Sequence, residues 1–168
     1  MPANKSKSQR SKPFFGFTKN KKNTHLKLLC RYCHAVYNGK GWIPFEKMDP
    51  KMIDELKASV CPACHETMEH ISDGVLHIEG AGVKAHLKDI TNLINKLGKE
   101  AEAKNILDRV ERIDNDPNGM TVYTTVNQLA VKIGKAVSSA YKGGKLDIRW
   151  SRQDKPVEVT WTYDKVKK

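Results

Sequence analysis

The sequence lacks any long hydrophobic run. No stretch of about 20 apolar residues, the length that spans a bilayer, occurs in the chain, so we expect no transmembrane helix and no membrane partner. The residues after Met1 are polar and rich in lysine, without the apolar centre of a secretory signal. We therefore expect a cytoplasmic protein in a reducing compartment, where cysteine thiols stay free.

Recognisable catalytic motifs are also missing. The chain has no phosphate-binding glycine loop, no helical His-Glu-x-x-His, no nucleophile beside a base and no convincing carboxylate pair. The turn Gly80-Ala81-Gly82 is too short for a dinucleotide-binding fingerprint, because no third glycine follows at the required offset. We therefore expect a protein that is not an enzyme and has no small-molecule substrate.

Cysteine is scarce, but its placement is specific. The only four cysteines form two C-x-x-C pairs, Cys30 with Cys33 and Cys61 with Cys64. Two residues between thiolates allow a tight turn that aims both sulfurs at one point, and two such turns complete the tetrahedral shell that zinc accepts. This spacing predicts one closed, structural zinc site, whose ion would supply folding energy on the order of 10 kcal/mol.

Other interpretations of the four cysteines stay open. Two disulfides would need an oxidising compartment, and a redox dithiol at Cys61 and Cys64 is disfavoured because a second pair is present to share a metal. A rubredoxin-like iron site has the same ligand geometry as the zinc site. His34 and His65 each follow a cysteine pair, and we interpret them as polar neighbours because four thiolates are available.

Acidic residues are absent from residues 1–24, which carry +7 of the net charge of +11. With few large apolar groups this segment is expected to be a disordered arm that gains affinity for phosphate by releasing counterions, while its phenylalanines stack on unpaired bases. A solvated tail that only aids solubility is the alternative. The arm residues predicted to contact nucleic acid are Lys5, Lys7, Arg10, Lys12, Phe14, Phe15, Phe17, Lys19, Lys21 and Lys22.

Residues 25–74 are predicted to form a zinc-ribbon-like module. A short strand over 25–33 enters the first cysteine turn, and a hairpin with its turn at 38–41 follows. Asp49 is predicted to cap a helix that begins at Pro50 and ends near Ser59. Trp42 is interpreted as a lid over the cysteine turns.

Residues 75–168 are predicted to form a second domain, with the element order β-α-β-β-α-β-β. This is a two-layer α+β sandwich close to the ferredoxin-like arrangement. The first helix is expected from Val83 to Gly98 or about Lys104, and the second from a cap at Thr125 or Asn127 to Gly143-Gly144. The strands are expected at 75–79, before the turn at 116–119, and at 120–125, 146–150 and 157–163.

Basic residues of this second domain suggest a further contact with nucleic acid. Lys132, Lys135 and Lys142 share one stripe of the second helix. Positive charge continues at Lys145, Arg149 and Arg152, and the first cysteine turn carries Arg31. Together with the arm they are interpreted as a phosphate-binding surface, with an ordinary solvated face as the alternative.

Three segments and the cysteine pairs carry a family resemblance. With Gly119–Thr125, Ala130–Ala136 and Leu146–Ser151, the chain resembles the large-ribosomal-subunit export adaptor family (nonsense-mediated-decay protein three) of eukaryotes and archaea. That family usually carries more C-x-x-C pairs, together with an export-signal tail and additional domains. The size of this chain and its lack of an export segment suggest a compact prokaryotic relative. The resemblance implies binding to ribosomal RNA on the large subunit without catalysis.

The sequence therefore predicts a zinc-binding, RNA-binding protein that acts on the ribosome or its precursors. The first alternative is a zinc-dependent adaptor for proteins or a DNA-binding, transcription-associated factor. The second alternative is a rubredoxin-like redox carrier.

Overall fold

The computed structural model describes residues 27–150 and 156–165, which form an α+β structure with two sheets. The strands are β1 Leu28–Cys30, β2 Val36–Tyr37, β3 Trp42–Ile43, β4 Lys57–Ser59, β5 Gly74–Glu79, β6 Val110–Asp116, β7 Gly119–Thr124, β8 Lys145–Arg149 and β9 Val157–Thr162. The α-helices are α1 Pro62–Met68, α2 Leu87–Lys104 and α3 Asn127–Ala140.

The smaller sheet has the strand order β3-β2-β1-β4. The predicted hairpin is confirmed by the antiparallel pairing of β2 with β3, while β4 runs parallel to β1 and aligns Ser59 with Cys30. Because parallel neighbours end at the same edge of a sheet, the chain leaves β1 and β4 side by side. This register brings the two cysteine pairs to one place.

The helix predicted between Asp49 and Ser59 is largely wrong. Asp49 does cap a turn, since its Oδ1 accepts a hydrogen bond from the Lys51 backbone N–H at 3.0 Å, but the turn is a 3-10 helix over Pro50–Glu55. The following residues form β4 instead. Ile53 is 50% exposed, so the apolar residues at helical spacing bury little surface, and hydrogen bonding to β1 decides the conformation.

The second cysteine turn opens a helix that was not predicted. Helix α1 begins at Pro62, and Cys61 is its N-cap residue, with its sulfur accepting from the Cys64 backbone N–H. Proline favours the first position of a helix because its fixed φ suits helical geometry and its missing N–H would have no helical partner. The Cys-Pro dipeptide was therefore an available signal for this helix start.

The larger sheet confirms the predicted order β-α-β-β-α-β-β. Its strand order is β6-β7-β5-β9-β8, with β5 and β9 parallel and the other neighbours antiparallel. Helices α2 and α3 pack on one face of it. The largest buried side chains between the layers are Leu76, Ile78, Ile90, Ile94, Met120, Ile133 and Trp161.

Several helix boundaries differ from the predictions. Residues Val83–His86 form a 3-10 turn before α2 begins, and α3 ends at Ala140, before the two glycines. The N-cap of α3 is Val126, so capping by Thr125 or Asn127 was wrong. The Thr125 hydroxyl instead donates to the Leu107 carbonyl at 2.7 Å, a tertiary contact that no local pattern indicates.

Within the two described ranges, no helix combines the length and the apolar character that crossing a membrane requires.

Close packing of α3 on the sheet yields a stability prediction. A Cβ added at Gly134 would lie 2.7 Å from Cγ1 of Val159, a buried and stiff side chain. Gly134→Val should therefore lower the free energy of unfolding by about 1–3 kcal/mol in urea titrations. The matched control is Ser139→Val at an exposed position of the same helix, and equal losses in the two variants would contradict this packing.

Candidate metal centre

The sulfurs of Cys30, Cys33, Cys61 and Cys64 converge, all within 4.8 Å of one another. The Sγ atoms of Cys33 and Cys61 are 3.6 Å apart. Four sulfurs at about 2.3 Å from a tetrahedral ion would be separated by roughly 3.8 Å, so the set fits a metal. All four cysteines are free thiols, which contradicts the alternative of two disulfides.

Backbone hydrogen bonds shape both cysteine turns. In the first turn the Cys30 N–H donates to the Ala35 carbonyl at 2.8 Å, and the His34 N–H donates to the Cys30 carbonyl at 3.0 Å. Between the turns, the Cys61 N–H donates to the Cys30 sulfur at 3.3 Å. N–H groups directed at sulfur favour the thiolate, which is the form that binds a metal.

The thiols differ in how readily they ionise without an ion. Burial raises the pKa of Cys64 to about 11 and raises the pKa of Cys61 as well. Burial acts in the same direction on Cys30, but hydrogen bonds from the backbone N–H groups of Cys33, Cys61 and Tyr32 outweigh it and lower the pKa of Cys30 to about 6. A metal cation at the centre would favour the thiolate at all four positions.

The centre is closed. Cys30 and Cys61 are completely buried, as is Ala35, and small side chains fill the space beside them. Trp42 packs against this cluster, which confirms its interpretation as a lid. Four-cysteine sites are typical of structural ions, since catalytic sites keep a position open for substrate or water.

The neighbouring histidines do not join the group. Among the described residues, the group of three or more possible metal ligands that lie close together consists of the four cysteine sulfurs. His34 is exposed and has a φ of 60°, and its place is the backbone reversal that ends the first cysteine turn. This agrees with the interpretation of His34 and His65 as polar neighbours.

Sequence reasoning missed Arg109, which contacts two of the sulfurs. Its Nη2 donates to Cys33 Sγ at 3.3 Å and its Nη1 lies 3.7 Å from Cys64 Sγ. Burial lowers the pKa of this guanidinium, but the hydrogen bond to Cys33 and the charges of Cys33, Cys61 and Cys64 together outweigh burial, so the pKa is raised. A zinc ion with four thiolates has a net charge of about −2, so a half-buried cation beside it offsets part of that charge.

The loop that carries Arg109 connects the cysteine centre to the larger sheet. Ile106 and Leu107, between α2 and β6, pack against the cysteine cluster. The Arg109 Nε donates to the Ile106 carbonyl at 2.6 Å, and the Arg109 backbone N–H donates to the Thr125 hydroxyl at 2.8 Å. No spacing rule links an arginine to cysteines so far away in sequence, so only the tertiary structure identifies it.

The basic residues predicted to bind nucleic acid do not all lie on one surface. Lys132 and Lys135 are exposed on α3, on the helical side of the larger sheet. Arg149 belongs to β8, where Leu146 and Ile148 pack toward the helices, so Arg149 faces the opposite side. Arg149 also pairs with Asp147 at 3.0 Å, and Lys132 lies 3.9 Å from Glu100.

The other predicted contact residues are placed as follows. Arg31 is exposed in the first cysteine turn, and Lys142 is exposed just after α3. The arm residues Lys5, Lys7, Arg10, Lys12, Phe14, Phe15, Phe17, Lys19, Lys21 and Lys22, together with Arg152, lie outside the described residues. A contact of any of these residues with RNA stays a prediction.

Removal of the ion should unfold the smaller sheet and leave the larger one folded. The buried residues of the cysteine cluster are small, whereas the other core contains Trp161 and many aliphatic side chains. After chelation, hydrogen exchange should increase in peptides from 27–68 and stay slow in α2 and α3. Unchanged protection in 27–68 would contradict a structural ion, and loss in both regions would contradict independent stability of the larger sheet.

Loss of the Arg109 contact should weaken metal binding. Arg109→Gln removes the charge and the two-point contact with sulfur, and we expect about a tenfold loss of zinc affinity in competition with a chromophoric chelator. Arg109→Lys should be intermediate. The control is Arg112→Gln, an arginine over the Tyr123 ring that pairs with Asp114. Equal affinities for the Arg109→Gln and Arg112→Gln variants would rule out this role.

No family model matches the sequence, and neither a curated protein nor a solved structure matches it significantly.

Proposed function

We propose that this protein is a zinc-stabilised, non-catalytic RNA-binding protein that acts on the ribosome or ribosomal precursors in the cytoplasm. The observation that carries the proposal is a closed four-cysteine centre in a chain of net charge +11. A structural ion would hold a small module in shape, and the excess of cations favours a polyanionic partner. The ribosomal part of the proposal depends on the motif resemblance.

Zinc is the proposed ion, with one ion per chain. Four cysteines suit zinc, and iron in a rubredoxin-like site is the competing choice because it takes the same ligands. The two are distinguished by metal analysis together with an absorbance scan. An iron–thiolate site is coloured, whereas the zinc protein absorbs only in the ultraviolet.

We interpret the larger sheet as a variant of the ferredoxin-like arrangement. The first β-α-β-β-α-β elements follow that order, and the additional last strand β9 lies between β5 and β8. We propose two domains, a zinc-ribbon-like module over residues 25–74 and an α+β sandwich over residues 75–168, connected through the contact of the Arg109 loop with the cysteine cluster.

A second candidate function is a zinc-dependent adaptor for proteins. Exposed apolar side chains in and near the smaller sheet favour it, among them Tyr32 at 54% exposure, Phe45 at 41% and Met68 at 53%. Exposed aromatic and methionine side chains are common at protein interfaces. Such an adaptor would bind its partner through apolar contact, so salt would affect its affinity little.

The salt dependence of RNA binding tests the proposal. The affinity of the zinc-loaded full chain for ribosomal RNA should fall by at least about tenfold between roughly 50 and 200 mM salt, because phosphate contacts release counterions. Replacing the seven lysines and arginines of residues 1–24 by glutamine should lower both the affinity and its salt dependence.

The matched control is a scrambled arm of the same composition, which keeps the charge and should keep the affinity. Weak binding at both salt concentrations would refute the RNA proposal. Capture of a protein partner that survives neutralisation of the arm would favour the adaptor instead.

A further inference from the structure

A cavity of about 430 Å³ lies at the end of β1 opposite Cys30. Its wall includes Lys27, Lys40 and Lys47, and its apolar lining comes from Ile43, Met48 and Met52. We call it the lysine pocket. The volume lies in the range of ordinary small-ligand sites, which run from about 300 to 1,000 Å³. None of the three lysines belongs to the arm or to the basic stripe on α3.

Hydrogen bonds fix the shape of the pocket. The Lys27 ammonium donates to the Asn38 carbonyl at 3.2 Å, and the Asn38 side-chain oxygen accepts from the Lys40 and Gly41 backbone N–H groups, both at 2.9 Å. Gly39 has a φ of +91°, a conformation in which glycine is favoured. The turn that carries Lys40 is therefore held in place before any ligand arrives.

The charge of the pocket favours an anion. Three lysines and one carboxylate, Asp49, line it, which gives a formal charge of +2. Among the described residues, none of the three lysines forms an ion pair with a carboxylate, and an Asp49 oxygen already accepts the backbone N–H of Lys51. The ammonium groups are thus available for phosphate oxygens.

The apolar lining favours an anion that also has an apolar part. Met48 is 8% exposed, and Ile43 and Met52 are half-buried beside it. Inorganic phosphate would leave this surface without a partner. A nucleotide uses both halves of the pocket, because its base has an apolar face and its phosphate is an acceptor, and methionine adapts its shape to flat ligands.

We propose that the lysine pocket holds one unpaired nucleotide of a bound RNA. The base lies on Ile43 and Met52, and the phosphate contacts the ammonium groups of the three lysines. This inference rests on the proposed RNA-binding function and identifies a contact site within it. Single-stranded RNA fits best, because an unstacked base is exposed there for contact with a protein surface.

The test uses the zinc-loaded full chain and a short, labelled, single-stranded RNA of mixed sequence in fluorescence anisotropy titrations. The variant Lys27→Gln/Lys40→Gln/Lys47→Gln should bind about tenfold more weakly. Its plot of log affinity against log salt should become less steep by about 0.7, because the pocket contacts one phosphate and each phosphate contact with a single strand contributes about that much. The control Lys96→Gln/Lys99→Gln/Lys104→Gln makes the same charge change on exposed positions of α2 and should bind like the parent protein.

Two further variants distinguish the effect of lost charge from the effects of a disturbed turn and of a lost contact with the base. Lys40→Gln/Lys47→Gln keeps the Lys27 hydrogen bond to the turn and should lose affinity in proportion to the two charges removed. Met52→Gln keeps the charge, so it should weaken binding several-fold without a change in salt slope.

The outcomes are distinct. If the parent protein binds RNA and the pocket variant binds like its α2 control, the pocket assignment is wrong while the proposed function stands. If the parent protein fails to bind RNA, both fall. Unchanged binding by Met52→Gln, or displacement of RNA by polyglutamate at equal charge concentration, would overturn the assignment to a nucleotide and indicate an acidic peptide.

Discussion

The convergence of four thiols on one point is the constraint on which the smaller sheet depends. Its strands have two or three residues each, the buried residues around the sulfurs are two cysteines and two alanines, and the larger buried apolar side chains in this region are Leu28, Val36 and Met48. So little apolar surface cannot offset the loss of conformational entropy on folding. Metal–sulfur bonds, worth on the order of 10 kcal/mol in small zinc modules, would supply the difference.

The parallel pairing of β1 with β4 makes this convergence possible. A loop of the larger sheet then contacts the converged sulfurs. Both strands deliver a cysteine turn at one edge, and the Arg109 loop closes over the sulfurs from the far side. The charge of a four-thiolate site attracts the guanidinium, and Thr125 holds the loop at its other end. The cysteine centre is thereby connected to the larger sheet, which has the largest hydrophobic core among the described residues.

Among the described residues, positive charge is spread over several surfaces. Lysines on α3 and cations on β8 lie on opposite sides of the larger sheet, and two of them, Lys132 and Arg149, have acidic neighbours. Such an arrangement suits attraction of a large polyanion at long range, which depends on net charge. Selective contact needs a shaped site with unpaired cations, and the lysine pocket has both features.

The sequence by itself determined the four ligands, the strand and helix order of residues 75–164 and the excess of cations, because these depend on spacing, periodicity and composition. Only the tertiary structure decided that residues 57–59 pair with β1 rather than continue a helix, and that Arg109 lies against the sulfurs. The tertiary structure also places Lys132 and Arg149 on opposite sides of the larger sheet. Each of these depends on contacts between residues far apart in the chain, and local propensity carries no information about such contacts.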